Sequence, residues 1–152
     1  MTLSLRYVVD TNIAIKQFIS DPLTPKVNQL FDHLNNTETR FFVPDLFYVE
    51  CASVFCKYVR ANLYTAEQAK ADLIDLQTLR LQVTPTQKLL TESTEIALKY
   101  GISAYDACYV ALSQQVDAPL LTLDKRLVNS LADSHFDVRL FANFQVPDVS
   151  QP

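Results

Sequence analysis

Four acidic residues at distant positions in this chain have the types and settings expected of a metal-dependent site. Asp10 ends the first apolar run, Asp124 ends a similar run from Pro119 to Leu123, and Glu50 and Asp106 lie in segments with helical patterning. Residues just beyond the carboxyl ends of strands line the crevice of an open α/β sheet. Carboxylates meeting there repel each other unless a divalent cation lies between them. Oxygen ligands without His or Cys favour Mg²⁺ or Mn²⁺, and the chemistry indicated is hydrolysis of a phosphodiester.

Three of the four acids also have an ordinary structural explanation. Asp10 and Asp124 each precede a helical segment and are good N-cap residues. Asp106 is the third residue after Ser103 and fits a capping box. Glu50 has no such explanation, because its neighbours three and four positions away on the predicted helix 45–61 are all uncharged. A carboxylate facing a core must be paired, protonated or metal-bound, so Glu50 favours a functional site.

Neutral polar residues adjoin the acids, and basic residues follow three of them. The neutral residues are expected to orient carboxylates or metal-bound water, and they are Thr11, Asn12, Ser103 and Thr122. Lys57 lies two turns after Glu50 on the same predicted helix, Lys125-Arg126 directly follow Asp124, and Lys16 lies two turns after Asp10. Such side chains are able to position a phosphate backbone, although solvated surface charge explains any one of them better.

Short β-rich runs alternate with helical segments along the chain. This alternation predicts an α/β domain with three layers, in which helices cover both faces of a parallel sheet of about five strands. Thr65 and Gln68 form a capping box that begins one helix, and Gly101 ends another in the left-handed conformation. The predicted strands are Arg6–Val9, Arg40–Val43, Leu81–Val83, Leu120–Leu123 and Val138–Phe141.

Length and composition limit the remaining possibilities. The chain of 152 residues suits a single domain, predicted over 1–146 with a short tail over 147–152. A net charge of −4 requires any nucleic acid to be held locally, through a metal or a small basic patch. Three cysteines without C-x-x-C spacing and two histidines indicate neither zinc nor disulfides, so a cytoplasmic location is expected. One glycine excludes a phosphate-binding glycine loop, and neither a signal peptide nor a membrane span is predicted.

Several short motifs in this order resemble those of the PIN-domain nucleases. The D-T-N of Val9–Asn12, the helical glutamate of Tyr48–Ala52, the D-A segment Tyr105–Ala111 and the T-x-D of Leu121–Asp124 match in sequence and spacing. The segment Leu63–Ala69 is similar to a helix opening of the VapC-type toxins in that family. The resemblance runs from about residue 7 to residue 141.

This resemblance implies a fold, an activity and partners. It implies a parallel sheet with strand order 3-2-1-4-5 and a Mg²⁺- or Mn²⁺-dependent endoribonuclease with Asp10, Glu50, Asp106 and Asp124 as catalytic and metal-binding residues. It further implies an RNA substrate, a homodimer and a cognate antitoxin that inhibits the site, as in type II toxin–antitoxin pairs.

Aromatic residues are concentrated on and after the helix that carries Glu50. Some are expected to form a dimer or antitoxin surface, where Tyr and Phe are enriched, and the alternative is that they fill the core. They are Phe47, Tyr48, Phe55, Tyr58 and Tyr64.

Three other functions remain open at this point. A phosphatase of the haloacid dehalogenase type also begins with an aspartate after a strand, but it needs a second Asp where Asn12 stands. A receiver-like phospho-acceptor has an acidic Mg²⁺ pocket but does not need Glu50 within a helix. The last alternative is an inactive PIN scaffold that only binds a protein or RNA.

Overall fold

Five parallel strands form one sheet in a computed structural model that describes residues 4–149. The sheet order is β3-β2-β1-β4-β5, so the first strand lies at the centre. Because every pair of neighbouring strands is parallel, their carboxyl ends lie along one edge. The strands are β1 (Arg6–Val9), β2 (Arg40–Pro44), β3 (Gln82–Thr84), β4 (Leu120–Thr122) and β5 (Val138–Leu140).

Seven α-helices connect and flank these strands within residues 4–149. They are α1 (Thr11–Ala14), α2 (Thr24–Asp32), α3 (Leu46–Arg60), α4 (Ala66–Thr78), α5 (Leu90–Tyr100), α6 (Ala104–Val116) and α7 (Lys125–Ser130). Short 3₁₀ turns cover Ile15–Gln17, His33–Asn35, Thr86–Leu89 and Phe141–Asn143. None of the helices in the described part of the chain is long and apolar enough to cross a membrane.

Burial along the strands explains why helices cover both faces of the sheet. Val8 and Val9 on β1 are successive residues and therefore point to opposite faces, yet both are buried, as are Leu120 and Leu121 on β4. Consecutive buried residues of this kind are typical of parallel sheets with helices on each side. The core helix is α6, whose residues from Ala107 to Ser113 are all buried.

The predicted strands and the sheet order are confirmed, with small shifts at the ends. The second strand ends one residue later than expected, at Pro44, and the third both begins and ends one residue later, at Gln82 and Thr84. The fourth and fifth strands end one residue earlier. Thr65 begins α4 with a complete capping box, and Gly101 ends α5 with φ of 68°. The three cysteines are all free thiols.

The aromatic residues near Glu50 mostly belong to the core. Phe47 and Phe55 are fully buried, Tyr48 lies edge-on against Phe47, and the ring of Tyr64 stacks on Phe55 at 5.8 Å. The core therefore accommodates most of this group, and the aromatic residues supply little free surface for a partner. The exposed apolar side chains of the α3–α4 region are instead Leu63 and Ile74, besides Val49 near the acids.

The predicted tail begins in contact with the domain. The carbonyl oxygen of Pro147 lies 2.7 Å from Nε2 of His33, whose side chain is buried. Residues 150–152 of that predicted tail lie outside the described residues.

Candidate active site

Asp10 directly follows β1, the central strand, at the carboxyl edge of the sheet and beside β4. Its backbone N–H donates to the carbonyl of Leu121, which continues the pairing of the two strands. The side chain is buried at 7% exposure and makes no capping bond to α1. Oδ2 instead accepts a 2.7 Å hydrogen bond from the hydroxyl of Thr122 on β4. The helix-capping explanation of this carboxylate is therefore wrong, because the side chain turns towards the neighbouring strand.

Two hydroxyl groups lie within hydrogen-bond distance of the Glu50 carboxylate. The Tyr109 hydroxyl donates to Oε1 over 2.6 Å, and the Thr11 hydroxyl lies 3.3 Å from the same oxygen. The hydroxyls of Thr11 and Tyr109 are themselves 2.8 Å apart. Glu50 thus lies half-buried on α3 with its carboxylate bonded to α1 and α6, which explains how a helix without an ion-pair partner tolerates this charge.

Asp106 lies in the first turn of α6, and Ser103 fixes the start of that helix. The Ser103 hydroxyl accepts a 3.0 Å bond from the backbone N–H of Asp106. Thr65 on α4 shows both bonds of a capping box, whereas Ser103 shows this bond alone. The Asp106 side chain lines the pocket described below.

Asp124 caps α7 and also faces the other acids. Its Oδ1 accepts a 3.1 Å bond from the backbone N–H of Leu127, so the capping prediction is confirmed for this residue. Thr122 and Asn12 set the turn before it. The Asp124 N–H donates to the Thr122 hydroxyl, and Asn12 accepts from the Leu123 N–H and donates to Thr122. Asn12 therefore serves a structural role at the position where the dehalogenase mechanism needs a second Asp.

All four acids line one open pocket of about 610 Å³ at the carboxyl edge of the sheet. Apolar side chains form its rim, including Val49 at 69% exposure and Tyr105 at 65%. Electrostatic repulsion couples Asp10 to Glu50 and Asp106, and it couples Asp106 in turn to Asp124. The sequence prediction that Asp10, Glu50, Asp106 and Asp124 meet in space is confirmed by this geometry.

Burial and mutual repulsion disfavour the charged forms of Asp10, Glu50 and Asp106. Desolvation raises the pKa of Asp10 to about 7, with further increases from Asp106 and Glu50 that the Thr122 bond partly offsets. Desolvation also raises the pKa of Glu50 and that of Asp106, against hydrogen bonds from Tyr109 and Ser103 respectively. A cation in the pocket would remove this penalty, so the site carries unfavourable negative charge that fits a positive ligand.

The chemistry of the donors fits Mg²⁺ or Mn²⁺, although the side chains do not form a closed cage. Across residues 4–149 no group of three or more His, Cys, Asp or Glu is arranged tightly enough to surround an ion alone. Mg²⁺ does not require one, since it usually keeps several waters and binds through one or two carboxylates together with substrate phosphate oxygens. The pocket is therefore compatible with an ion held partly through water.

The basic residues near the acids lie mostly on the surface, which agrees with their interpretation as solvated charge. Arg126 lines a smaller depression beside Asp106 and Asp124, whereas Lys125 is exposed and does not line it. Lys57 is likewise exposed on α3. Lys16 forms a 2.7 Å ion pair with Asp21, so its charge is already engaged. Arg126 is therefore the basic side chain that shares a depression with Asp106 and Asp124.

Tyr109 is the residue of this site that sequence reasoning missed. It is 1% exposed, and burial raises its pKa well above the usual value, with the nearby charges of Asp10 and Glu50 adding to the shift. The phenol consequently keeps its proton and acts as a donor. The signal was present in the sequence, since a Tyr within the otherwise apolar stretch 107–112 is expected to be buried and to need a hydrogen-bond partner.

Comparison with known proteins defines the class to which this fold and site belong. The family model of the PIN domain matches residues 7–130. Ribonuclease VapC3 from Pyrobaculum aerophilum is 27% identical over 125 residues, which cover 81% of this chain and 92% of that protein.

Two solved structures share the fold. A toxin–antitoxin complex from Klebsiella pneumoniae contains a chain with a TM-score of 0.62 and 18% identity, covering 91% of this chain and 98% of that one. A Pyrobaculum aerophilum crystal structure has a TM-score of 0.65 and 21% identity, covering 83% of this chain and 79% of its own. This chain belongs to the PIN domain family, which replaces the dehalogenase and receiver alternatives.

Proposed function

We propose that this protein is a Mg²⁺- or Mn²⁺-dependent endoribonuclease and the toxin of a type II toxin–antitoxin pair. The observation that carries the proposal is the convergence of Asp10, Glu50, Asp106 and Asp124 on one open pocket at the carboxyl edge of a PIN-family sheet. A 27% identical relative that spans most of the chain is called a ribonuclease, which supports the same activity.

The four acids are proposed to hold the ion, directly or through water. When bound, such an ion lowers the pKa of a coordinated water and neutralises charge on the phosphate under attack. Thr122 keeps the Asp10 carboxylate turned into the pocket, and Ser103 fixes the turn that presents Asp106. The Asn12 and Thr122 bonds to the backbone at Leu123 and Asp124 hold the turn between β4 and α7.

RNA recognition is proposed to be local, since the chain as a whole is acidic. Arg126 beside Asp106 and Asp124 is the proposed contact for a phosphate, with Lys57 and Lys125 as outer contacts that draw the backbone towards the pocket. Few basic contacts imply a shallow dependence of binding on salt, because each phosphate contact releases counterions.

An antitoxin, a homodimer and a cytoplasmic location complete the proposal. The Klebsiella pneumoniae relative in structure is part of a toxin–antitoxin complex, which supports an inhibitory partner for this chain as well. The exposed apolar residues Leu63 and Ile74 offer surface for self-association. Three free thiols suit a reducing compartment.

Size-exclusion chromatography with light scattering tests the dimer. A strict monomer at high protein concentration would exclude it.

Cleavage of a pool of short single-stranded RNAs tests the activity. The purified protein should cut RNA with Mn²⁺ or Mg²⁺ and stop with EDTA. Asp10→Asn should lower the rate by about 1,000-fold, equivalent to about 4 kcal/mol of transition-state stabilisation, if an ion supplies several kcal/mol there.

The Asp10→Asn protein purified in the same way also excludes a contaminating nuclease. Equal cleavage by wild type and Asp10→Asn would overturn the proposal. A folded wild type that binds RNA without cutting it under any divalent ion would instead favour the inactive PIN scaffold.

A further inference from the structure

A buried tyrosine joins the two helices on either side of the acidic pocket. Tyr109 lies on α6, one turn after Asp106, and its ring is almost wholly enclosed at 1% exposure. Its hydroxyl reaches across to Glu50 on α3 at 2.6 Å, while Thr11 at the start of α1 lies 2.8 Å away. Three elements thus meet at one phenolic oxygen.

The distances assign the proton donors within this cluster. Thr11 has one hydroxyl proton, which it can give to Tyr109 over 2.8 Å or to Glu50 over 3.3 Å. The shorter path favours Tyr109, which then donates its own proton to Glu50. In this arrangement Tyr109 supplies the strong bond to the carboxylate, and Thr11 orients the phenol.

Both hydroxyls approach the same carboxylate oxygen of Glu50. Oε1 accepts from Tyr109 and lies 3.3 Å from the Thr11 hydroxyl, and Oε2 has no donor among residues 4–149. Every buried polar side-chain atom in that described part of the chain has a partner. Oε2 is therefore not fully buried, and Glu50 lines the pocket that Asp10 and Asp106 also line.

We infer that Tyr109 is a positioning residue that fixes Glu50 with one oxygen bonded to the protein and the other presented to a divalent cation. The inference rests on the metal site of the proposed function. Groups that hold a metal-binding carboxylate in one orientation commonly change metal affinity by about 10- to 100-fold when they are lost. Tyr109 itself touches neither ion nor RNA.

Calorimetric titration with Mn²⁺ alone tests this inference without RNA. Tyr109→Phe keeps the ring and removes only the hydroxyl, and it should raise the Kd for Mn²⁺ by about 10-fold or more. Tyr100→Phe is the matched control, because Tyr100 packs on Phe136 at the end of α5 and lines no part of the acidic pocket. A Tyr109→Phe protein that melts as a single cooperative unit and binds Mn²⁺ as the wild type does would overturn the inference.

A double-variant cycle separates positioning from general loosening of the fold. If Tyr109 acts through Glu50, then Tyr109→Phe added to Glu50→Gln should change the Mn²⁺ Kd by less than about twofold. Equal losses in both backgrounds would mean that the tyrosine acts on the whole pocket, which contradicts the inference.

Cleavage kinetics provide a second readout. In Tyr109→Phe, the Mn²⁺ concentration for half-maximal rate should rise by about 10-fold, while kcat at saturating Mn²⁺ returns to within about threefold of wild type. A lower kcat with unchanged Mn²⁺ dependence would overturn the inference. If the wild type binds neither Mn²⁺ nor Mg²⁺, the proposed metal site and the inference fail together; if it binds the ion but cuts no RNA, only the proposed activity fails.

Discussion

The acidic pocket has two halves that are held in place in different ways. The inner pair, Asp10 and Glu50, is fixed by side-chain hydroxyls of Thr122 and Tyr109 that reach it from other elements. The outer pair, Asp106 and Asp124, is fixed locally, because each lies in the first turn or at the cap of a helix. The inner pair therefore depends on tertiary packing, and the outer pair depends on helix starts that the local sequence encodes.

The two halves also differ in how their charges affect the stability of the folded protein. Asp10 is buried at 7% exposure, and its carboxylate has no basic partner among its described hydrogen bonds. Asp124 is half-buried and contributes a capping bond to α7. Charge on the inner pair should therefore destabilise the metal-free protein, whereas the outer pair should combine a cost in repulsion with a gain from the helix ends.

The largest expected effect is a loss of metal-free stability with rising pH. Asp10 has a pKa near 3.8 when unfolded and about 7 when folded, so between these values the folded state retains a proton that the unfolded chain releases. Stability from this group is full below about pH 4 and falls until about pH 7, by on the order of 4 kcal/mol. The raised pKa values of Glu50 and Asp106 act in the same direction.

Urea unfolding in EDTA at about pH 5 and about pH 8 measures the larger part of this change in the free energy of unfolding. Asp10→Asn should flatten the profile and should be more stable than wild type at the higher pH, because the amide oxygen still accepts from Thr122. Asp133→Asn, at an exposed position, serves as the control. Identical pH profiles for wild type and Asp10→Asn would show that charge on Asp10 does not destabilise the folded protein.

An intermediate effect is expected from separating the two roles of Asp124. Asparagine caps a helix about as well as aspartate, so Asp124→Asn removes the charge and keeps the cap, whereas Asp124→Ala removes both. Both variants should lose about 100-fold in cleavage rate, or about 2.7 kcal/mol. Only Asp124→Ala should also lose stability, by about 1 kcal/mol.

Cleavage rates and chemical unfolding of the two variants check this prediction together. Full activity in Asp124→Asn would reduce Asp124 to a helix cap and leave three acids in the site.

The smallest expected effect concerns the cap that presents Asp106. Ser103→Ala and Thr65→Ala each remove an N-cap bond and should each cost about 1 kcal/mol of stability. Thr65 is the matched control, because it caps α4 and no residue of α4 lines the acidic pocket. Ser103→Ala alone should lower cleavage, by about threefold, since a shift of the first turn of α6 moves the Asp106 carboxylate. Equal rates in the two variants would show that Asp106 holds its position without Ser103.

The outer half of the site was predictable from sequence, and the inner half only in part. The Ser103 and Asp124 caps follow from spacing within a few residues, as do the Thr65 box and the turn at Gly101. The acids themselves were visible because each follows a strand or interrupts an apolar helix. The bond of Tyr109 to Glu50 was not visible, since 59 residues separate the two and only the packing of α6 against the sheet brings them together.

The same distinction explains the remaining differences. Asp10 had a local explanation as a cap, yet its side chain bonds to Thr122, 112 residues away, because β1 and β4 are neighbours in the sheet. The aromatic residues of α3 suggested a partner surface, but the core behind the helix accommodates Phe47 and Phe55 together with Tyr64. The sequence shows that aromatic residues are concentrated here, but only the tertiary packing shows which of them are buried.

We propose that the inner and outer pairs together form a single site for a divalent cation. Anomalous scattering from a crystal soaked in Mn²⁺ tests it directly, because Mn²⁺ is located by its own signal. We expect a peak among the carboxylates of Asp10, Glu50, Asp106 and Asp124, within coordination distance of Asp10. A pocket without a peak at saturating Mn²⁺, or a peak bound only elsewhere on the molecule, would contradict the account.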